Sequence, residues 1–295
     1  MFSSDQILRI GKEISDKVQG KTLFDEFSRG RYSTDASVYQ IKPIGVVLPK
    51  DSNDVLSIME YSQKNSIPLL ARGGGSSQCG QTVGESIVLD YSKHQNKILD
   101  FNLEEKSVWV EPGVVLDHLN AYLKPYGLWF PVDVSTSSRA TIGGMSANNS
   151  CGSRSLYYGN MVHNVLAIET ILDDGSIHTF DQIKRNYLTE KNNQDRLYKI
   201  IDKFIDLRQK VGDEINKNWP TTQRRVGGYN IDLIDPNGFN SSNLLVGSEG
   251  TLSLFNRIKL KLSELPKNKI LGVCYFDNFH QAMELTKEIV KLKPT

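Results

Sequence analysis

The sequence predicts an α+β fold, and three observations predict it. Strand-like and helix-like patterns alternate from Ile44 to Gly127, a hairpin pattern occupies Val165 to Phe180, and a helix followed by an alternating strand fills the region up to Leu262. A chain of 295 residues can bury a sizeable core, as one large domain or two ordinary ones.

Taken in order, Ile7, Leu8, Ile10, Ile14 and Val18 recur at helical spacing, so the first twenty residues read as an amphipathic helix. The stretch FSRGRYSTDASVYQIKP reads as irregular. IGVVLP is a short strand, DSNDVLSIMEYSQKNS a helix with Asp51, Ser52 or Asn53 available as its N-cap, and IPLLAR a second strand. SIVLD and SVWVE follow as strands, and VVLDHLNAYLKPYG as a helix ended by Pro125 and Gly127. Leu128 to Gly159 shows no clear periodicity, and ordered segments of that length without their own structure usually carry a function. VLAIETILDDGSIHTF is a hairpin turning at Asp174-Gly175, and DRLYKIIDKFIDLRQKV is a helix. LLVGSEGTLSLFNRIKLKL reads as strand, with Ile258, Leu260 and Leu262 alternating against Lys259 and Lys261. ILGVCYF and DNFHQAMELTKEIVKL read as one further strand and helix, the first piece of a second domain.

Charge and cysteine content exclude several classes. Thirty-five Lys and Arg against 34 Asp and Glu leave a formal charge of +1, and the basic residues are scattered, so a broad nucleic-acid footprint is not expected. No apolar run reaches membrane-spanning length and the N-terminus has no signal-peptide core, so the expectation is a cytoplasmic protein without an integral membrane segment. Cys79, Cys151 and Cys274 are widely spaced with no CxxC pair, which gives neither a disulfide framework nor a metal signature. The histidines show no paired ligand spacing, and no metal is expected.

Two glycine-rich loops carry the chemistry. In LLARGGGSSQCGQTVG a strand delivers Arg72 to Gly73, Gly74, Gly75, Ser76 and Ser77. Consecutive glycines let a ligand approach the backbone and permit the positive-φ turns in which successive N–H groups converge on an anion. Gly75 to Gly80 has P-loop spacing, yet Gln81 stands where a P-loop needs lysine, so an NTPase is not expected. The sequence after Gly75 is also a poor helix for a dinucleotide fingerprint of the GxGxxG type. The second loop, PVDVSTSSRATIGGMSANNSCGSRSLYYGN, holds Gly143, Gly144 and Gly152 with the amides of Asn148 and Asn149 and several hydroxyls. Two such loops suggest a ligand long enough to touch both, and a dinucleotide fits.

These segments resemble the FAD-linked oxidases of the p-cresol methylhydroxylase and vanillyl-alcohol oxidase superfamily: the first loop their pyrophosphate loop, ATIGGMSANNSCGSRSLYYGNMVHNVLAIE their second FAD segment and LLVGSEGTL their third. Within it the chain is most similar to D-2-hydroxy-acid dehydrogenases, a group that includes D-lactate dehydrogenases, glycolate oxidase flavoprotein subunits and enzymes acting on D-2-hydroxyglutarate. The resemblance implies two α/β subdomains of a PCMH-type FAD-binding fold over residues 30–265, after a helical lead-in (1–29) and before the start of a truncated cap domain (266–295). It further implies that Gly73, Gly74, Gly75, Ser76 and Ser77 bind the diphosphate, with Arg72, Gly80 and Gln81 also among the cofactor-binding residues. Asp133, Ser135, Thr141, Ile142, Gly143, Gly144, Asn148 and Gly152 would line the flavin side, the Val165 backbone would meet the adenine end, and Glu249 and Gly250 would close the site.

Relatives with tethered flavin carry His where this chain has Ser76, which implies non-covalent FAD. The activity implied is oxidation of a 2-hydroxy acid, with electrons passing to a quinone, cytochrome or iron–sulfur protein or region outside these residues; attachment at the periphery of the inner membrane through a partner is compatible with this. No catalytic residue is assigned; Arg225, Tyr229 and Asn230 are candidates to approach flavin or substrate. A non-catalytic FAD-binding subunit, and an NADPH-dependent flavin reductase resembling the UDP-N-acetylenolpyruvoylglucosamine reductases, remain open.

Overall fold

A computed structural model describes residues 2–184, 195–222 and 224–293. Four short strands, β1 (Lys21–Leu23), β2 (Gly45–Leu48), β3 (Leu69–Arg72) and β4 (Ile87–Asp90), form a sheet in the order β1-β2-β4-β3. β2 and β3 both run parallel to β4, and β1 is antiparallel to β2. β2 and β4 are apolar at successive positions because both of their faces are covered. Val46, Val47, Val88 and Leu89 have no exposed surface. The crossover from β2 to β3 is a helix, Ser52–Asn65, whose N-cap Asp51 accepts from the amides of Asn53 and Asp54. The crossover from β3 to β4 is the first glycine loop.

The N-terminal helix α1 (Ser4–Ser15) belongs to this layer. Ile7, Ile10 and Ile14 pack into the same core as Val47, Ile58 and Leu89, and the buried Tyr61 hydroxyl donates to Glu13 Oε2 at 2.7 Å. A second sheet, wholly antiparallel, has the order β5-β6-β9-β7-β8, built from β5 (Ile98–Asn102), β6 (Ser107–Val110), β7 (Val165–Ile171), β8 (Ile177–Phe180) and β9 (Leu254–Lys261). Its central strand keeps the expected alternation: Ile258 and Leu260 are fully buried and Lys261 faces water. The β7–β8 hairpin turns at Gly175, whose φ of +81° glycine adopts freely. Ile171 and Leu254 of the second sheet reach the core of the first, so the layers are packed together.

Four readings are corrected by the structure. Glu26–Arg31, within the stretch read as irregular, is a helix because Asp25 caps it through Ser28 N at 2.9 Å. The aperiodic stretch from Leu128 contains the helices Ile142–Ala147 and Ser155–Tyr158, both too short to show a period. LLVGSEG is not strand: Leu244 ends a 3₁₀ turn, and Gly247, Glu249 and Gly250 have positive φ, which a strand cannot accommodate. ILGVCYF is not strand either. Ile270, Leu271 and Tyr275 are 96%, 89% and 91% exposed, with no neighbouring edge among the described residues to complete a ladder. The helix after it, Phe279–Lys291, forms as expected but buries no residue.

Two predictions follow from the first layer. A Cβ on Gly45 would lie 2.1 Å from the Phe24 ring, so Gly45→Ala overpacks the core and lowers unfolding free energy by about 1–3 kcal/mol; Phe24→Leu in the same chain restores part of the loss, as denaturant titration will register. Burial and the Glu13 carboxylate push the Tyr61 hydroxyl up to about 12. Its folded value lies above its unfolded value, so its contribution is complete below pH about 10 and is lost as pH rises through the folded value. Glu13 is half exposed, so the contribution is on the order of 1 kcal/mol, and Tyr61→Phe flattens the alkaline fall in melting temperature.

Candidate functional site

The two glycine loops face each other across a cavity of about 430 Å³. β3 ends at Arg72, and the loop after it lies so close to the second loop that side chains cannot intervene: a Cβ on Gly73 would be 2.0 Å from Thr141 Oγ1, and one on Gly74 2.2 Å from the Arg139 carbonyl oxygen. Gly143 is pressed in the same way against Pro112, at 2.6 Å. Thr141 caps the short helix that follows, accepting from Gly144 N at 3.4 Å.

Arg72 is a strut as well as a charge. Its Nη1 donates to the carbonyls of Thr82 at 3.0 Å and Tyr32 at 3.4 Å, its Nη2 donates to Thr34 O at 2.8 Å, and its guanidinium lies over the Tyr32 ring. Gly75, at φ +63°, leaves room for it, since a Cβ there would meet Nη2 at 2.6 Å. Desolvation lowers the Arg72 pKa from its ordinary value while Asp90, Tyr32 and Asp35 oppose the shift, so a cation is held behind the loop. Asp90 accepts from the Tyr32 hydroxyl at 2.6 Å, and its charge together with burial pushes that hydroxyl well above the usual phenol range.

Glu249 joins all three segments. With φ at +51°, its Oε1 accepts from Asn148 Nδ2 at 2.7 Å and from Gln81 Nε2 at 3.5 Å, and Gln81 also touches Ser77. Gln78, Cys79, Asn148, Glu249 and Gly250 are exposed on the cavity wall, whereas Tyr91, Pro112, Ala140, Gly143, Met145 and Phe255 are buried on it. Among the described residues that line the cavity, Arg72 and Glu249 are the only charged side chains.

Of the residues expected at the site, Arg72, Gly73, Gly74, Gly75, Ser76, Ser77, Gln81, Ser135, Thr141, Gly143, Gly144, Asn148, Glu249 and Gly250 line this cavity. Gly80, Asp133, Ile142, Gly152 and Val165 stand behind it. Gly80 packs on Tyr39, and Ile142 is fully buried in the larger core. Asp133 builds the back of the second loop: it accepts from Arg154 N at 3.1 Å and Ser153 Oγ at 2.9 Å, and a Cβ on Gly152 would lie 2.0 Å from its carbonyl oxygen. The Val165 carbonyl accepts from Asn240 Nδ2 at 2.9 Å.

Arg225, Tyr229 and Asn230 are engaged elsewhere. Arg225 pairs with Asp232 at 2.6 Å and stacks on Trp219, Tyr229 bonds Thr251 at 2.8 Å, and the buried Asn230 donates to Val246 O at 2.7 Å; Val226 alone of that segment reaches the wall. No histidine lines the cavity; His163, its pKa lowered by desolvation and Arg225, accepts from Asn160 N at 3.0 Å. Cys79 and Cys151 both lie on the wall, and Arg224 Nη2 is 3.1 Å from Cys151 Sγ. Tyr91, Ser253 and Phe255 were not expected there. Tyr91 directly follows the carboxyl end of a parallel strand, where α/β sheets commonly place ligands, and that signal could have found it.

A family model described as an FAD binding domain matches residues 43–181. The chain is 34% identical over 275 residues to a D-2-hydroxyglutarate dehydrogenase of Escherichia coli, covering 90% of this chain and 27% of that protein, and 33% identical to the one of Pantoea ananatis, covering 90% and 26%. It is 28% identical to the glycolate oxidase subunit GlcD of Bacillus subtilis, covering 96% and 51%. The chain thus spans about a quarter of the length of the dehydrogenases it matches. Its fold is similar to that of an alkyldihydroxyacetonephosphate synthase, with a TM-score of 0.62 at 17% identity over 88% of this chain and 44% of that one.

The glycines and hydroxyl side chains that both loops bring to one cavity, Gly73 to Ser77 from the first and Thr141, Gly143 and Gly144 from the second, suit a ligand with a diphosphate. Residues 43–181 thus match an FAD binding domain, and FAD is the cofactor that this match supports.

Proposed function

We propose that this chain is the FAD-binding part of an oxidoreductase that oxidises a D-2-hydroxy acid, of which D-2-hydroxyglutarate is the first candidate. One observation carries the choice: identity to D-2-hydroxyglutarate dehydrogenases is 32–34% over about nine-tenths of the chain, against 27% for a D-lactate dehydrogenase of Danio rerio and 28% for the glycolate oxidase subunit. Bound FAD supplies a hydride acceptor for C2 of the hydroxy acid.

The residues here bind and orient. Backbone N–H groups of Gly73 to Ser77, with the Ser76 and Ser77 hydroxyls, hold the diphosphate; Thr141, Gly143 and Gly144 face it from the second loop. Ser135, Asn148, Glu249 and Gly250 frame the open end, and Gly80, Asp133, Ile142, Gly152 and Val165 act through the loops they support. With serine at position 76 the flavin is held without a covalent bond. Residues 30–265 form the cofactor domain, 1–29 its helical lead-in and 266–295 the start of the substrate domain. The electron acceptor is a quinone, a cytochrome or an iron–sulfur protein or region outside these residues. No helix among the described residues is long and apolar enough to cross a membrane.

Anaerobic mixing tests the reading. Protein containing this chain together with the remainder of the enzyme should lose its oxidised-flavin absorbance on addition of D-2-hydroxyglutarate but not of the L-enantiomer. Bleaching by NADPH with none by any D-2-hydroxy acid refutes the proposal in favour of a reductase. Gly74→Val forces a side chain onto Arg139 and weakens FAD binding about tenfold or more in fluorescence titration. Because the wall carries one cation and one anion, the diphosphate is held by neutral donors. FAD affinity therefore changes by no more than about threefold between low and physiological ionic strength.

A further inference from the structure

Four residues beside the cavity are held far less firmly than the chain on either side of them. Arg225 is fixed by its ion pair with Asp232 at 2.6 Å, by stacking on Trp219, and by Asn160 Nδ2, which donates to its carbonyl at 3.2 Å. Asn230 is buried, and its Nδ2 donates to Val246 O at 2.7 Å and to Asn243 O at 3.3 Å. Between these anchors Val226, Gly227, Gly228 and Tyr229 are all exposed, and none of their backbone groups bonds another backbone group among the described residues. A Cβ on Gly227 or Gly228 would meet nothing within 4 Å, and Gly228 takes φ +78°, which glycine adopts freely. Exposed backbone with neither internal hydrogen bonds nor packing opens at low cost.

Two contacts join these four residues to the site. Val226 lines the cavity, and the Tyr229 hydroxyl meets Thr251 Oγ1 at 2.8 Å, one residue beyond Gly250 on the cavity wall. The surroundings fix the direction of that bond: the Thr251 hydroxyl gives its single proton to Ser248 O at 2.5 Å, so Tyr229 is the donor. One exposed hydrogen bond therefore ties the segment down, and two unpacked glycines lie between that tie and the residue on the wall. Once the tie breaks, rotation at the glycines moves Val226 relative to the wall, while Arg225 and Asn230 hold the ends in place. Catalytic and ligand-binding lids are built in this way, from a short weakly held segment between fixed ends.

We propose that residues 226–229 are a strap over the cavity that opens to let the cofactor in and out and is latched shut by the Tyr229–Thr251 hydrogen bond. The proposal rests on the reading that this cavity holds FAD, and uptake of FAD by the wild-type chain tests that reading separately. Stopped-flow flavin fluorescence follows FAD association and dissociation in flavin-free wild type, Tyr229→Phe and Thr251→Val. Losing the latch should raise both rate constants by about three- to tenfold, as for one lost hydrogen bond, and leave Kd within about twofold, because an unlatched strap eases entry and exit alike. The double variant should be no faster than either single one, since both remove the same bond. Faster dissociation with unchanged association overturns the proposal, because the hydroxyl pair would then only grip bound ligand, and so do two unchanged rates. A second readout needs no ligand. Chymotrypsin cleavage after Tyr229 requires a lifted strap, so in flavin-free Thr251→Val it should run about three- to tenfold faster than in wild type, with cleavage after the exposed Tyr275 as the reference. An unchanged ratio overturns the strap whether or not FAD binds.

Discussion

The contact on which the rest of the structure depends is the approach of one loop backbone to another. With Gly73 against Thr141 and Gly74 against Arg139 there is no space for a Cβ at either position, so the end of a parallel strand and the start of a short helix are brought within backbone distance. Each loop is then fixed from behind. Arg72 binds three carbonyls from two segments, and Asp133 gathers the amide and hydroxyl of the residues after Gly152. A flexible glycine loop would lose much of its ligand affinity to ordering, and these supports place that cost in folding instead of binding.

Position 81 can be glutamine for an electrostatic reason. A P-loop lysine serves a phosphate whose charge changes during reaction, whereas a diphosphate that only anchors a cofactor keeps a constant charge, and fixed N–H and O–H dipoles in a partly dry cavity are enough to hold it. Gln81 is then free for another task. It reaches Glu249, and Asn148 reaches the same oxygen, so amides from two loops converge on a carboxylate of a third.

How much of this was legible in the sequence varied with the physics of each element. β2, β4 and the helix between them were readable because apolar runs, an Asp N-cap and helical spacing agree with one another. The two loops were readable because glycine spacing reports backbone needs directly. Tertiary context decided the rest. ILGVCYF has strand composition, but a strand exists only when an edge receives it. LLVGSEG is apolar enough for a strand, yet Gly247 and Gly250 were needed for turns. The five expected site residues behind the cavity show the same limit: sequence proximity to a loop does not distinguish a wall residue from the one that holds the wall. Tyr91 shows the converse, a wall residue with no glycine or motif to mark it.

The placement of strain agrees with a site that is rigid inside and open outside. Glu249 takes φ +51° and Asn149 φ +51°, conformations that disfavour a side chain, and both flank the exposed part of the cavity. Asn149 is fully buried, and its Oδ1 receives Val162 N at 3.0 Å, so its backbone is over-determined by packing. Glu249 is exposed and is held by the two side-chain amides and by its own N–H, which donates to Ala147 O at 2.9 Å. The buried half of the cavity therefore keeps its shape through covalent and packing constraints, while the shape of the mouth depends on hydrogen bonds that water can replace. That ordering suits a domain whose ligand is gripped at the closed end of the cavity and reached from the open one.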